Sequence, residues 1–551
     1  MPAPHNSDFK MTAPSNSGLE MKAVDSLDAK EADGVSKMSE AKNTNGVNPP
    51  QKRRYLPIPP SNFTGYGRNG MLLEEIELYL PGGFHPVHIG DVLDGKYEVA
   101  HKLGSGGFAT VWLCLDTVPH CWKAIKILVA EKSSESCPEI KFKDILGDSN
   151  FVAMPERHFW IDGPNGRHLA LVLPVLGPSI SQTRDLVSDT ASIRKVCCRL
   201  AESLQYLHSK GICHADFRPS NILHKMHSID SLSKEQLWEL LGAPTSWEYR
   251  QTVATIDKDD TRPNGPRYVV RSADMRRLQD WIITDEIAII DFGIAYKELD
   301  TAEGAKEIGI PLPFAAPELF FDGCHSTRSD VWSLACSILR LQCDRGFSPT
   351  LWDIVNDMEF YFGPLPEEFR QAFTKAYPPA EKDESEDNGF KNEYQIGNED
   401  DYDYDYEDFY DFSWPKVPVD PELEKNYLTW KPKELQDKRK EMLKSTGFSD
   451  LFNATLARDG SLGGFGYLEK RAYRLSRCEV VQLGDLLRKM LRYDPEKRLS
   501  ASQVLDHPWF AQYRRATQPE ASKETSLPQE VKTKLQELMD VLRNISNGAL
   551  M

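Results

Sequence analysis

The stretch Cys213-His214-Ala215-Asp216-Phe217-Arg218-Pro219-Ser220-Asn221-Ile222-Leu223 constrains the fold of this 551-residue chain more than any other. It sets an acid and an amide five residues apart, directly after a run of helical spacing. In that run Ile193, Val196, Cys197, Leu200, Leu204 and Leu207 share one face, and Gly211 closes it. The order H-x-D-x-x-x-x-N suits a phosphoryl-transfer loop: the carboxylate takes a hydroxyl proton, and the Asn holds a metal ion at a fixed offset. The same three residue types also fall in this order in ordinary loops, so the reading depends on whether the remaining parts follow in chain order.

Composition narrows the setting. The ten cysteines include no C-x-x-C pair and have neither disulfide nor zinc spacing, which points to a reducing compartment. No run of eighteen apolar residues occurs and the N-terminal stretch has no apolar core, so a soluble intracellular protein is expected. A net charge of −17 argues against non-specific binding to nucleic acid through the whole surface. Fourteen Asp and Glu against two Lys between Glu381 and Asp411 supply −12 of that charge. Asp and Tyr alternate from Asp401 to Tyr406 within this run. It reads either as a solvated loop or as a docking surface for Arg-rich substrates, through charge and Arg stacking on Tyr. Residues 1–70 form a polar tail expected to be disordered, with order beginning near Leu72. Its cluster Gln51-Lys52-Arg53-Arg54 reads as solvated charge or as a nuclear address.

From Tyr97 the pattern becomes strands: Tyr97 to Leu103, Thr110 to Leu115 and Trp122 to Val129, an expected antiparallel sheet. The intervening turn is Gly104-Ser105-Gly106-Gly107-Phe108-Ala109-Thr110-Val111, where glycines let backbone N–H groups approach phosphate oxygens; as a bare glycine turn it also fits a plain hairpin. Fifteen residues after Val111 stands Lys126, on a strand. It needs an acid on the next helix, and Glu139 is the first candidate with Glu135 behind it, because Lys143 falls where that helix should turn an apolar side chain inward. Leu169 to Gly177 reads as a buried strand ending in a hinge. Leu173 would then guard the back of a nucleotide pocket, with the backbone of Pro174 and Leu176 facing an adenine edge.

Seventy-five residues beyond Asp216, Ile287-Ala288-Ile289-Ile290-Asp291-Phe292-Gly293 delivers an acid from a buried strand into a tight turn, a place for Mg²⁺. Ala316-Pro317-Glu318 follows, then a buried helix starting near Asp330, which would brace the catalytic-loop backbone. Far downstream, Arg498 is the expected buried partner of Glu318.

In this order Gly104-x-Gly106, Lys126, Glu139, Asp216 to Asn221, Asp291-Phe292-Gly293, Ala316-Pro317-Glu318, Asp330 and Arg498 resemble a eukaryotic protein kinase domain over about residues 85 to 512. The lead-in from Gly82 to Asp91 is similar to that of the SR-protein kinase (SRPK) family, as is a spacer between catalytic loop and Asp291, here short, about Lys225 to Asp280, with a helix over Leu232 to Leu241. The resemblance is to a divergent branch.

The resemblance implies an α+β, bilobal protein-kinase fold. A small, mainly antiparallel-sheet lobe with its lead-in would span 71–176, and a larger, mainly helical lobe 177–515, with inserts at 225–280 and 378–412. A tail over 516–551 would hold an amphipathic helix bearing Val531, Leu535, Leu538, Leu542 and Ile545. The implied activity is serine/threonine phosphorylation with ATP and Mg²⁺. Leu103, Gly104, Ser105, Gly106, Gly107, Phe108, Val111, Ala124, Lys126, Glu139, Leu173, Pro174, Leu176 and Leu223 would hold ATP. Lys126, Asp216 and Arg218 would be catalytic, and Asn221 and Asp291 would bind metal. The implied partners are protein substrates, Arg/Ser-rich splicing factors among them, with no direct nucleic acid and no membrane. A monomer is expected, in the cytoplasm with a nuclear share.

Departures from the pattern sharpen the expectation. Ala215 stands where switchable kinases place an Arg to pair with a phosphate, and no Ser, Thr or Tyr occurs between Ala302 and Glu318. A constitutively active kinase is expected. Arg218 replaces the usual Lys, Pro311 the usual Thr, and Ser220 the Glu of basic-directed kinases, so substrate choice stays open. Pro311-Leu312-Pro313-Phe314 is expected to form a rigid apolar pocket for the residue after the acceptor. The same departures permit a pseudokinase scaffold that binds nucleotide with little transfer. Kinases of small molecules share H-x-D-x-x-x-x-N but usually lack the Ala-Pro-Glu, Asp330 and Arg498 set.

Overall fold

The structure, a computed structural model, describes residues 73–74, 78–183, 190–244, 246–247, 264–278, 282–298, 309–321, 325–343, 347, 351–376, 432–449, 451–457 and 475–513, with 533 and 537. The polar tail with its basic cluster, the acidic insert and the C-terminal apolar stripe lie outside the described residues.

Strands β1 (Val92–Leu93), β2 (Tyr97–Gly106), β3 (Ala109–Asp116), β4 (Cys121–Leu128), β5 (Arg157–Gly163) and β6 (Gly166–Leu173) build one six-stranded sheet in the order β1-β2-β3-β4-β6-β5. Every neighbouring pair is antiparallel. Alternation sets the two faces: Trp112, Cys114, Ile125, Ile127, Ala170 and Val172 share one apolar cluster, while Leu113, next to Trp112, belongs to another. Helix α1 (Pro138–Leu146) follows β4 and starts on Pro138, whose missing N–H costs nothing in a first turn.

The larger lobe is mainly helical. The short α2 (Ile180–Thr183), then α3 (Thr190–Ser209) and the helices Thr327–Cys343, Leu351–Phe362 and Arg477–Met490, contribute to one core cluster. After α3, β7 (Ile212–Cys213) leads into the catalytic loop and β8 (Ile222–Met226) leaves it. Together the sheet lobe and the helical lobe make the bilobal α+β kinase architecture.

The stretch 225–280 interrupts the larger lobe in sequence, yet its described residues pack on the smaller one. Its helix α4 (Lys234–Leu241) opens with a capping box between Ser233 and Gln236 and sets Leu237, Leu240 and Leu241 against Ala100, Leu113 and Trp122 of the sheet. The Trp122 backbone N–H donates to Asp230 at 2.7 Å, and the Trp238 indole donates to the Ala100 carbonyl at 3.0 Å. Farther along, β9 (Ser246–Trp247) pairs with β10 (Val269–Val270), and Val270 enters the cluster on the opposite sheet face. The stretch returns through β11 (Ile283–Ile289), which pairs with β8. Both faces of the small lobe are thus packed by a segment rooted in the large one. Leu237→Ala is expected to cost about 2–5 kcal/mol by leaving a cavity, read by denaturant unfolding.

Lys102 on β2 is fully buried and ion-paired to Glu74 of the lead-in, whose carboxylate also accepts from the Tyr79 hydroxyl at 2.7 Å. Burial alone works to lower the Lys102 ammonium, and the Glu74 charge opposes it. The lead-in is thereby pinned beneath the sheet.

Candidate active site

The glycine turn is tighter than its sequence suggests. Expected strands end at Leu103 and resume at Thr110, whereas the ladder runs on, pairing Gly104 with Val111 and Gly106 with Ala109, so only Gly107-Phe108 turn. Glycine backbone satisfies the ladder as well as any residue, and period-based reading undervalues it. A Cβ on Gly104 or Gly106 would meet nothing within 4 Å. That open space above a strand pair is what a phosphate cradle requires. Phe108, at the tip, is 50% exposed.

Lys126 lies opposite Val111 in the β3–β4 register. Its ammonium donates to Glu139 at 2.5 Å and to Asp291 at 2.7 Å. Glu139, not Glu135, is the partner acid; Glu135 instead accepts from the Trp160 indole at 2.8 Å. The helix turns Phe142 and Leu146 inward, and Lys143 reaches out to the Glu156 carbonyl. Cys137, which no sequence pattern had singled out, donates its thiol to the second Glu139 oxygen at 2.9 Å. Burial and the Glu139 charge push that thiol up to about 12, so it remains a donor at neutral pH. Burial works to lower the Lys126 ammonium, but the charges of Asp291 and Glu139 outweigh it and hold it above the lysine range. The Lys126 charge in turn holds the Asp291 carboxyl below the usual range, against desolvation.

The catalytic loop is held from beneath. Asp330, fully buried, accepts from the backbone N–H groups of His214 at 2.8 Å and Ala215 at 3.0 Å. The His214 ring contacts the Ile290 carbonyl at 3.1 Å and the Phe292 ring at 5.0 Å between centroids, which joins the loop to the Asp291 turn. Across the gap Ile290 donates to the Asn221 carbonyl at 2.9 Å. Ala215 and Asp291 both sit at positive φ, 68° and 64°. For non-glycine residues each costs about 1–2 kcal/mol and persists only where neighbours over-determine it.

Both Asp216 oxygens are engaged: Arg218 Nε donates to Oδ1 at 3.0 Å, and Asn221 Nδ2 donates to Oδ2 at 2.6 Å and to the Asp216 carbonyl at 3.0 Å. With its nitrogen so used, the remaining Asn221 atom is an amide oxygen, which a hard cation takes. Asp291, whose side chain is 44% exposed, supplies carboxylate oxygen nearby. This donor set and the open glycine turn fit a nucleotide with a divalent metal.

The adenine side assembles from the other lobe junction. Ala124 pairs with Leu173, and Pro174 and Leu176 follow directly. Gly177 donates to the His224 carbonyl at 2.8 Å and Ser179 bridges to Leu223, which draws β8 against the hinge. Leu103 and the hinge residue Val175 pack together with the insert cluster. The Ser220 hydroxyl is enclosed and has no hydrogen-bond partner among the described residues. Pro311 is buried, Leu312 and Pro313 half-buried, and Ser333 fixes the Phe314 carbonyl at 2.9 Å.

A family profile described as "Protein kinase domain" matches residues 97–232. Serine/threonine-protein kinase spk-1 of Caenorhabditis elegans is 37% identical over 168 residues, 27% of this chain and 16% of that protein. SRSF protein kinase 3 of Homo sapiens is 34% identical over 189 residues, 31% of this chain and 33% of that one. A serine/threonine protein kinase of Aspergillus fumigatus is 26% identical over 327 residues, 56% of this chain and 72% of that protein. The match to the first two spans a third of their lengths or less. The chain carries a protein kinase domain and is similar, at moderate identity, to kinases of the SRPK family. Such a domain implies ATP, a divalent metal ion and protein substrates.

Proposed function

We propose that this chain, with its SRPK-like protein kinase domain, is an ATP- and Mg²⁺-dependent serine/threonine kinase that phosphorylates Ser in Arg/Ser-rich proteins and needs no phosphorylation of its own activation segment. The observation that carries the reading is Lys126 held at once by Glu139 at 2.5 Å and Asp291 at 2.7 Å. Those contacts require the small lobe, α1 and the Asp291 turn to be mutually aligned, which is the arrangement phosphoryl transfer demands.

In this arrangement Lys126 and the glycine turn hold the nucleotide phosphates, and Asn221 and Asp291 would hold Mg²⁺. When bound, the ion neutralises phosphate charge. Asp216, fixed by Arg218 and Asn221, orients the substrate hydroxyl and receives its proton. Arg218 adds a delocalised positive charge beside Asp216. The contributions are positional and electrostatic. Ala215 removes the Arg that would read a phosphate, which supports constitutive activity.

The test is transfer of the γ-phosphoryl group from ATP to an Arg/Ser-repeat protein, with Asp216→Asn as control. The variant should lose about 10²–10⁴-fold in kcat while ATP binding persists. Metal-dependent ATP binding without any transfer by the wild type would instead establish the scaffold reading.

A further inference from the structure

We infer that Tyr296 and His325 form an internal tie that fixes the base of the activation segment to the catalytic-loop anchor, as positioning residues in a chain with Ala215, not Arg, beside the catalytic Asp216. This deepens the kinase reading above and rests on it. Neither residue belongs to the nucleotide, metal or acceptor sets already described.

Tyr296 lies on β12 (Tyr296–Lys297), the short strand just after the Asp291 turn, paired with β7 at Cys213. Its hydroxyl lies 2.6 Å from His325 Nδ1. His325 Nε2 faces Asp330 Oδ1 at 3.6 Å, enclosed and with no hydrogen-bond partner among the described residues. Asp330 is the carboxylate that holds the His214 and Ala215 amides, with His208 Nε2 at 3.1 Å from its other oxygen. The contacts close a ring: Cys213 to Tyr296 by strand pairing, Tyr296 to His325, His325 to Asp330, and Asp330 back to the residues that follow Cys213.

The chemistry orders the protons around that ring. A carboxylate calls for a donor, so Nε2 carries the imidazole proton and Nδ1 accepts from the Tyr296 hydroxyl. Burial holds the His325 imidazole below its ordinary range, so it is neutral at neutral pH; Asp330, Glu318, His208, His214 and Tyr296 are the titratable groups around it. A neutral His is a fixed dipole, directed along one line from the activation segment to the loop anchor.

A parallel contact runs beside it. Thr327 donates to Glu298 at 2.6 Å, and the Glu298 backbone N–H donates to the Gly211 carbonyl at 2.9 Å. The segment leaving Asp291 is therefore tied to both the start of the helix Thr327–Cys343 and the strand entering the loop. The site needs this. Ala215 is held in a left-handed conformation beside Asp216, and a non-glycine residue leaves that conformation when its restraints loosen. In a kinase with Arg at this position a phosphate could supply the restraint; here the Tyr–His pair supplies it from inside the fold.

The test uses the full chain with Tyr296→Phe, His325→Leu and His325→Gln. Kinetics on an Arg/Ser-repeat protein, Tm, and amide hydrogen exchange at His214 and Ala215 are measured together. Tyr296→Phe, which keeps the ring and its packing, and His325→Leu should lower kcat about three- to tenfold with KM for ATP within about twofold. Exchange at Ala215 should quicken by a similar factor. His325→Gln, whose amide keeps a polar N–H directed at Asp330, should recover part of the His325→Leu loss. A fall in Tm alone, with kcat and Ala215 exchange at wild-type values in Tyr296→Phe, overturns the tie and leaves the pair as packing. Absence of transfer by the wild type would count against the kinase reading only, because amide exchange still judges the tie.

Discussion

Lys126→Met should lower kcat/KM for ATP-dependent transfer by about 10²–10³-fold. Met keeps most of the side-chain volume, so the loss reports charge. The wild-type ammonium lies between Glu139, whose side chain is 5% exposed, and Asp291. Without it Glu139 keeps the Cys137 thiol as a donor, and two carboxylates that had shared a cation face one another across the cleft. On the kinase reading proposed above, nucleotide would then lose both a phosphate contact and the alignment of α1. Nucleotide titration should show weaker binding and steady-state kinetics a lower kcat; a variant with wild-type kcat/KM would remove Lys126 from the mechanism.

The same variant carries a pH signature. Lys126 holds the folded-state Asp291 carboxyl below its unfolded value, so the pair stabilises the fold above about pH 4 and loses that contribution as pH falls through the folded value. The stability gap between wild type and Lys126→Met should therefore be full at pH 7 and narrow below about pH 4. Denaturant unfolding at several pH values checks this, and a gap independent of pH would contradict it.

Arg498→Ala should destabilise the large lobe by about 3–5 kcal/mol, because it strands a buried carboxylate. Arg498 Nη1 and Nη2 donate to the two Glu318 oxygens at 2.7 and 2.6 Å, a forked pair joining positions 180 residues apart. The guanidinium also donates to the Arg492 carbonyl at 2.7 Å and the Arg328 carbonyl at 3.1 Å, and lies 5.1 Å from the Trp332 ring centroid. Ser329 completes the Glu318 carboxylate at 2.7 Å. Lysine cannot reproduce a planar fork, so Arg498→Lys should recover only part of the loss. The double change Glu318→Leu with Arg498→Met should cost less than Arg498→Ala, since it leaves no unpaired charge. Urea unfolding measures all three; a single-variant loss under about 1 kcal/mol would sink the anchor role.

Much of the candidate site was legible because its chemistry restricts residue type at fixed spacing. Asp216 and Asn221 must share one loop, and Asp291 must leave a buried strand; the structure brings Asp291 to Lys126 and Asn221 to the turn before Asp291. Glu139 was less legible. Lys143 in the same helix confuses the apolar period, and only the outward reach of Lys143 to the Glu156 carbonyl resolves it. The hairpin ladder through Gly104 and Gly106 escaped a reading based on side chains, because backbone pairing there does not depend on them.

The sequence by itself determined the order of the phosphoryl-transfer parts, the Glu318–Arg498 pairing and the absence of a phosphate-reading Arg at Ala215. These are written in residue identity, since each function needs one functional group. Only the tertiary structure decided that the described residues of the 225–280 stretch pack on both faces of the small lobe, that Cys137 donates to Glu139, and that Tyr296 meets His325 beside Asp330. Those contacts join residues distant in sequence through apolar burial or single hydrogen bonds, which many residue types satisfy and no local spacing encodes.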